Sequence, residues 1–86
     1  MAVKVEVFTS DSCPHCPGAV KVAEEAKEII GADMDVVICN IGLEENRQKA
    51  IEYQIMAVPT IAINDEVAFV GAPTLDDLVN KVKSLI

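Results

Sequence analysis

Two cysteines three positions apart, Cys13-Pro14-His15-Cys16, stand where one hydrophobic period gives way to another. Before them Val3, Val5 and Val7 alternate with Lys4 and Glu6 and close on Phe8, the period-two pattern of a strand. After them Ala19, Val22, Ala23, Ala26 and Ile30 recur at spacings of three and four. That is an amphipathic helix running from Pro14 to about Ile30, with Lys21, Glu24, Glu25 and Glu28 facing outward and Gly31 ending it. Pro14 suits a first helical turn. Pro17 deletes an early helical hydrogen bond and is expected to kink the entry. A helix N-terminus presents unpaired N–H groups and the positive end of its dipole. A thiolate at Cys13 is stabilised there, and Cys16, one turn along, is placed to attack a mixed disulfide once one has formed. The expected chemistry is dithiol–disulfide exchange.

The remainder of the chain supplies a sheet and its cover. Asp35 to Cys39 is dense in β-branched residues and reads as a second strand, parallel to the first because a helix connects them. Leu43 to Tyr53 reads as a weaker helix with Leu43, Ala50 and Ile51 as its buried stripe. Thr60 to Ile63 and Val67 to Val70 form a hairpin across Asn64-Asp65-Glu66. Gly71-Ala72-Pro73 is a turn, and Thr74 caps a last helix, with Asp77 three residues on completing a capping box. Leu75, Leu78, Val79, Val82, Leu85 and Ile86 make that helix the cleanest amphipathic stripe in the chain. The order βαβαββα predicts an α/β fold: one four-stranded mixed sheet flanked by three helices, in a single domain over residues 1–86.

Composition narrows the partners. Aromatic residues are 3% of a chain that is 51% hydrophobic, so the core has to be aliphatic. A net charge of −7 argues against nucleic acid and anionic membrane surfaces, both of which reward clusters of Lys and Arg. The longest apolar run, Ile55 to Ile63, falls short of the roughly 18–20 residues a membrane-spanning helix needs and is broken by Pro59. Met1-Ala2-Val3-Lys4 turns directly into a strand pattern without the layout of a signal peptide. Three cysteines, an odd number, do not make a disulfide framework, and the expected location is the cytoplasm.

Each candidate residue has a plainer reading. Cys13 and Cys16 could be half of a zinc site, but a tetrahedral site takes four ligands and only Cys39 and His15 remain to complete it. A C-x-x-C pair beside a β-α-β pattern reads instead as a redox couple, with no metal and no cofactor beyond the Cys13–Cys16 disulfide itself. His15, between the two cysteines at a helix start, is expected to stabilise the thiolate. Cys39 ends an apolar strand and reads as a buried, inert thiol. Met56 fits the apolar rim of a groove or an ordinary core position.

The stretches FTSDSCPHCP, IEYQIMAVPTIAIN and FVGAPT, spread over nearly the whole length, resemble the thioredoxin/glutaredoxin superfamily in its minimal, glutaredoxin-sized form. They resemble in particular the small thioredoxin-like proteins of methanogenic archaea. The resemblance implies a thioredoxin fold and a thiol–disulfide oxidoreductase reducing protein disulfides, with Cys13 as nucleophile and Cys16 as resolving thiol. It further implies that Pro59 follows a cis bond beside the cysteines, and that Val58 offers its backbone to a substrate peptide. The implied partners are disulfide-containing proteins and a thioredoxin reductase, and the implied state is a monomer.

Some positions depart from the family pattern. Thioredoxins carry a buried Asp where this chain has Val7 and a Trp where it has Ser12. Glutaredoxins carry Thr and a second Gly, which hold glutathione, at the places of Ala57 and Ala72. The Pro-His pair resembles exported thiol oxidases, whose inserted helical domain does not fit in 86 residues. A glutathione-coupled glutaredoxin is the alternative within the class. A non-catalytic binding module and a zinc or iron–sulfur carrier are the alternatives outside it.

Overall fold

Over residues 2–86, which the computed structural model describes, the elements follow the βαβαββα order. They are β1 (Val3–Thr9), α1 (Cys16–Ile30), β2 (Met34–Asn40), α2 (Glu44–Glu52), β3 (Thr60–Ile63), β4 (Glu66–Val70) and α3 (Leu75–Lys83). Met1, first residue of the segment read as lacking a signal sequence, lies outside the described residues. The strands make one sheet in the order β2-β1-β3-β4. β1 pairs parallel with β2 and antiparallel with β3, and β3 pairs antiparallel with β4, so the sheet is mixed.

Because side chains alternate along a strand, β1 serves two cores. Val3, Val5 and Val7 point to the face covered by α1 and α3, where they meet Ala19, Ala23 and Ala26 and, from α3, Leu78, Val79 and Val82. The three alanines let α1 lie close to the sheet. Phe8 points the other way, into a smaller cluster with Cys39, Ala50 and Ala62 under α2. A short 3-10 turn, Gly31–Asp33, joins α1 to β2, and Gly31 takes a φ of 83° to make it. Lys27 bridges that junction from the last turn of α1, its ammonium bonding the carbonyls of Gly31 and Met34.

Several elements differ from the sequence reading. α1 begins at Cys16 and not at Pro14, so Pro17 falls within the first turn, where backbone N–H groups have no helical partner to lose. The hairpin loop is two residues, Asn64 and Asp65, both at positive φ (51° and 69°), as a type I′ turn requires. α3 stops at Lys83, leaving Leu85 and Ile86 exposed beyond it. Its cap is half a capping box: Thr74 Oγ1 accepts the Asp77 N–H at 3.2 Å, with no reciprocal bond among the described residues.

α2 carries the largest correction. Leu43 and Ile51, expected on its buried stripe, are 57% and 69% exposed. The helix instead turns Asn46, Lys49, Ala50 and Tyr53 toward the sheet, at i, i+3, i+4 and i+7. Three of those four are polar because the sheet below offers polar partners. Asn46 Nδ2 bonds the Asn40 carbonyl at 3.1 Å and Lys49 reaches a carboxylate on β1.

Candidate active site

The loop after β1 is tied down before the cysteines begin. The Ile41 N–H donates to the Thr9 carbonyl at 2.8 Å, continuing the line of the β1–β2 ladder. Asn40 then clamps the loop, its Nδ2 donating to Asp11 Oδ1 at 2.8 Å while its Oδ1 accepts the Gly42 N–H at 2.7 Å. A Cβ at position 42 would lie 2.9 Å from that same oxygen, so a larger residue there would have to displace the Asn40 side chain from the clamp. The Cys13 N–H donates to the Ser10 carbonyl at 3.3 Å, closing a tight turn.

Cys13 and Cys16 are joined by a disulfide, their Cα atoms 5.4 Å apart. Cys16 opens α1 and is 3% exposed, whereas Cys13, still in the loop, is half-buried. His15 is the N-cap residue of α1, and its carbonyl accepts the Ala19 N–H at 3.3 Å. The His15 and Pro14 side chains are exposed.

Val58 and Pro59 reach the same end of the molecule from α2. That helix closes in a Schellman turn: the Gln54 N–H bonds the Ile51 carbonyl at 3.0 Å and the Ile55 N–H the Ala50 carbonyl at 2.8 Å. Gln54 occupies the left-handed position, with φ 58°. The Val58–Pro59 peptide bond is cis. Thr60 Oγ1 donates back to the Ala57 carbonyl at 2.6 Å, and the Gly71 N–H donates to the Pro59 carbonyl at 2.7 Å, with Gly71 itself at φ 90°. A groove of about 400 Å³ runs past this loop, lined by His15, Ala57, Val58, Pro59, Val70, Gly71 and Ala72. Met56 stands beside it 98% exposed, which excludes a core role. Another depression, of about 310 Å³, lies toward the opposite end of β3, where Ile63, Asn64, Lys81 and Leu85 offer no thiol.

The sequence reading took Glu6 only as a polar residue alternating with the valines. The structure buries it to 1% exposure. Its Oε2 lies 2.6 Å from Lys49 Nζ and 3.9 Å from Cys39 Sγ, and its Oε1 accepts from the Tyr53 hydroxyl at 3.2 Å. Tyr53 OH also lies 2.9 Å from Asp65 Oδ1, and Lys4 Nζ pairs with Asp65 at 2.5 Å. A β-α-β crossover covers one face of β1; α2 covers the other, and a charged residue enclosed there must be paired. Burial, more than the neighbouring Glu6 charge, pushes the Cys39 thiol above its ordinary range. Burial also raises Tyr53, reinforced by its bond to Asp65 and the Glu6 charge, and the Glu6 hydrogen bond raises Lys49. Lys4 holds Asp65 below the usual carboxylate range, with Tyr53 adding to the effect.

A dithiol pair opening the first helix of a β-α-β unit, on a sheet of order β2-β1-β3-β4, defines the class: a thiol–disulfide oxidoreductase on the thioredoxin fold. The chain belongs to the thioredoxin family, since the family model described as a thioredoxin domain matches residues 1–83. It is 52% identical to a thioredoxin of Methanocaldococcus jannaschii over 81 residues, 94% of this chain and 93% of that one. It is 49% identical to a probable thioredoxin of Methanothermobacter marburgensis over 86 residues, all of this chain and 99% of the relative. Among solved structures, thioredoxin-2, a component of malaria parasite protein secretion machinery, superposes with a TM-score of 0.79 at 16% identity. That match covers 96% of this chain and 82% of the other, and it establishes likeness of fold. The relatives make this a thioredoxin-type protein-disulfide oxidoreductase. No helix among the described residues is long and apolar enough to cross a membrane, and no cluster of three or more His, Cys, Asp or Glu there is placed to hold a metal ion.

Proposed function

We propose that the chain is a reductase of protein disulfides, with Cys13 as the attacking thiol and Cys16 as the resolving one. The observation that carries this reading is the asymmetry of the pair: Cys13 is accessible from the loop while Cys16 is enclosed at the start of α1. The Cys13 thiolate attacks one sulfur of the target, forming a mixed disulfide and releasing the other target sulfur as a thiolate that takes up a proton. Cys16 then gives up its proton and attacks Cys13 Sγ, expelling the second target thiol. Two electrons have moved to the target, and the Cys13–Cys16 disulfide remains. The free N–H groups and dipole at the start of α1 favour the thiolate, and the His15 imidazole, when charged, adds to them. Pro14 shapes the turn between the two thiols. The target strand lies along the backbone of Val58 and Pro59, in the groove that His15 also lines.

A thioredoxin reductase returns the electrons in the cytoplasm, and the chain acts as a monomer with no further cofactor. Ala57 and Ala72, standing where glutaredoxins hold glutathione, support this choice of donor. Insulin reduction tests the whole scheme. Turnover is expected with a thioredoxin reductase and NADPH, and only weakly with glutathione and glutathione reductase. Cys13→Ser should abolish it, and Cys16→Ser should accumulate a mixed disulfide with insulin. Trapping by Cys13→Ser instead would reverse the two roles, and efficient turnover on glutathione would replace the donor.

A further inference from the structure

α2 feeds the loop that carries Val58 and Pro59, yet it is poorly equipped to hold itself in place. It fully buries only Ala50, and its large aliphatic residue Ile51 faces solvent. A nine-residue helix with one buried methyl group gains little from apolar contact, and helices this short depend on tertiary anchoring. The loop that follows exposes Gln54, Met56 and Ala57, and its apolar hold is Ile55 and Val58 packing partly against the Phe8 cluster beneath α2.

The anchor is polar, and Glu6 is its centre. From β1 its enclosed carboxylate takes Lys49 on one oxygen and Tyr53 on the other, both from α2. Tyr53 is also the C-cap of α2, so the side chain bonded to Glu6 sits one residue before the chain turns sharply at Gln54. Its ring meets Phe8 edge-on, centroids 5.8 Å apart, and its hydroxyl has a single proton to serve both Glu6 and Asp65. Lys4, 2.5 Å from Asp65 and 3.9 Å from Glu6, balances the second carboxylate. Two cations thus neutralise two anions on a sheet face away from the valines that meet α1.

We infer that Glu6, acting through Lys49 and Tyr53, is a positioning residue for the Ala57-Val58-Pro59 backbone. It fixes how α2 and its exit loop sit on the sheet, and so how well a protein disulfide docks, while leaving the sulfur chemistry alone. This rests on the reading of that backbone as the substrate's docking strand. The test is single-turnover reduction by the reduced full-length protein of insulin and, separately, of hydroxyethyl disulfide, which is too small to use the loop. Glu6→Gln keeps the shape and removes the charge, and Tyr53→Phe removes only the hydroxyl. Each should raise the half-saturating insulin concentration about tenfold, the scale of one lost charge-assisted hydrogen bond, at an unchanged limiting rate. Reduction of hydroxyethyl disulfide and the pH dependence of Cys13 alkylation should match wild type. Unchanged insulin saturation in both variants would overturn the inference, as would equal losses on both substrates. A wild-type protein that cannot reduce insulin would instead overturn the functional reading beneath it.

Discussion

His15 caps α1 through its backbone, whereas the role proposed for it at the cysteines belongs to its ring, and one substitution separates the two. Its carbonyl accepts the Ala19 N–H, a bond that glycine keeps, and glycine is tolerated at an N-cap. His15→Gly should therefore leave the helix intact while removing the imidazole from between the two cysteines in the chain. The Cys13 thiol pKa should rise, and the reduction potential of the couple should fall by about 30 mV, a tenfold shift in its exchange equilibrium. Equilibration against dithiothreitol buffers reads the potential directly; an unchanged value would make the helix terminus alone responsible. At this scale the pairing of Cys13 with Cys16 was legible from their spacing, and the cis bond before Pro59 was implied by the family resemblance. The burial of Glu6 was not legible. Alternation along β1 separates its two faces without saying that both will be covered, and only the placement of α2 makes position 6 an interior one.

Among the elements, β1, α1 and α3 could be read from periodicity because each buries a run of aliphatic residues, and the hydrophobic effect is what periodicity records. For α2 the method found the helix and Ala50 but not the rest of its buried face. Its sheet-facing stripe, Asn46, Lys49, Ala50 and Tyr53, is mainly polar, and a search for apolar spacing settles on Leu43 and Ile51, which lie outside. The end of α2 holds a second feature invisible to pattern. Gln54 stands at positive φ in a Schellman turn, a position that favours glycine. Relief of left-handed strain, partly offset by the freer unfolded chain, should make Gln54→Gly more stable by about 0.5–1 kcal/mol. Urea unfolding would register this as a raised midpoint at constant slope. A lowered midpoint would mean that the Gln54 side chain contributes more than its backbone costs.

For the molecule as a whole, the polar network beneath α2 imposes a dependence on pH. Cys39, Tyr53 and Lys49 all have pKa values raised by folding, from ordinary values of 9.0, 10.0 and 10.5. Well below pH 9 each keeps its proton in both states, so none contributes a slope. As pH climbs past those ordinary values the unfolded chain releases protons that the folded chain retains, and stability falls. Asp65, with its pKa lowered by Lys4, works at the other end: its contribution is lost as pH falls through the carboxylate range. Unfolding midpoints measured from pH 7 to 11 should decline above about pH 9. Phenolate absorbance reports the cause, since Tyr53 is the single tyrosine. Ionisation of the folded protein near pH 10 with no loss of stability would contradict this account.

The sheet order has a consequence for encounters between copies. β2 and β4 are the outer strands, and each leaves one side of its backbone without a neighbouring strand. Val37 and Ile38 are 44% exposed on one, and Val67 and Val70 are open on the other. Open, aliphatic edges of this kind are templates for aberrant strand addition. Little in the strands themselves guards them beyond Asp35 and Glu66, both exposed at strand starts. The wider defence is collective, because a surplus of seven negative charges makes every approach of edge to edge repulsive. Such a barrier is colloidal in nature: it weakens as salt shortens the screening length to about 8 Å at physiological ionic strength, and it vanishes near the isoelectric point.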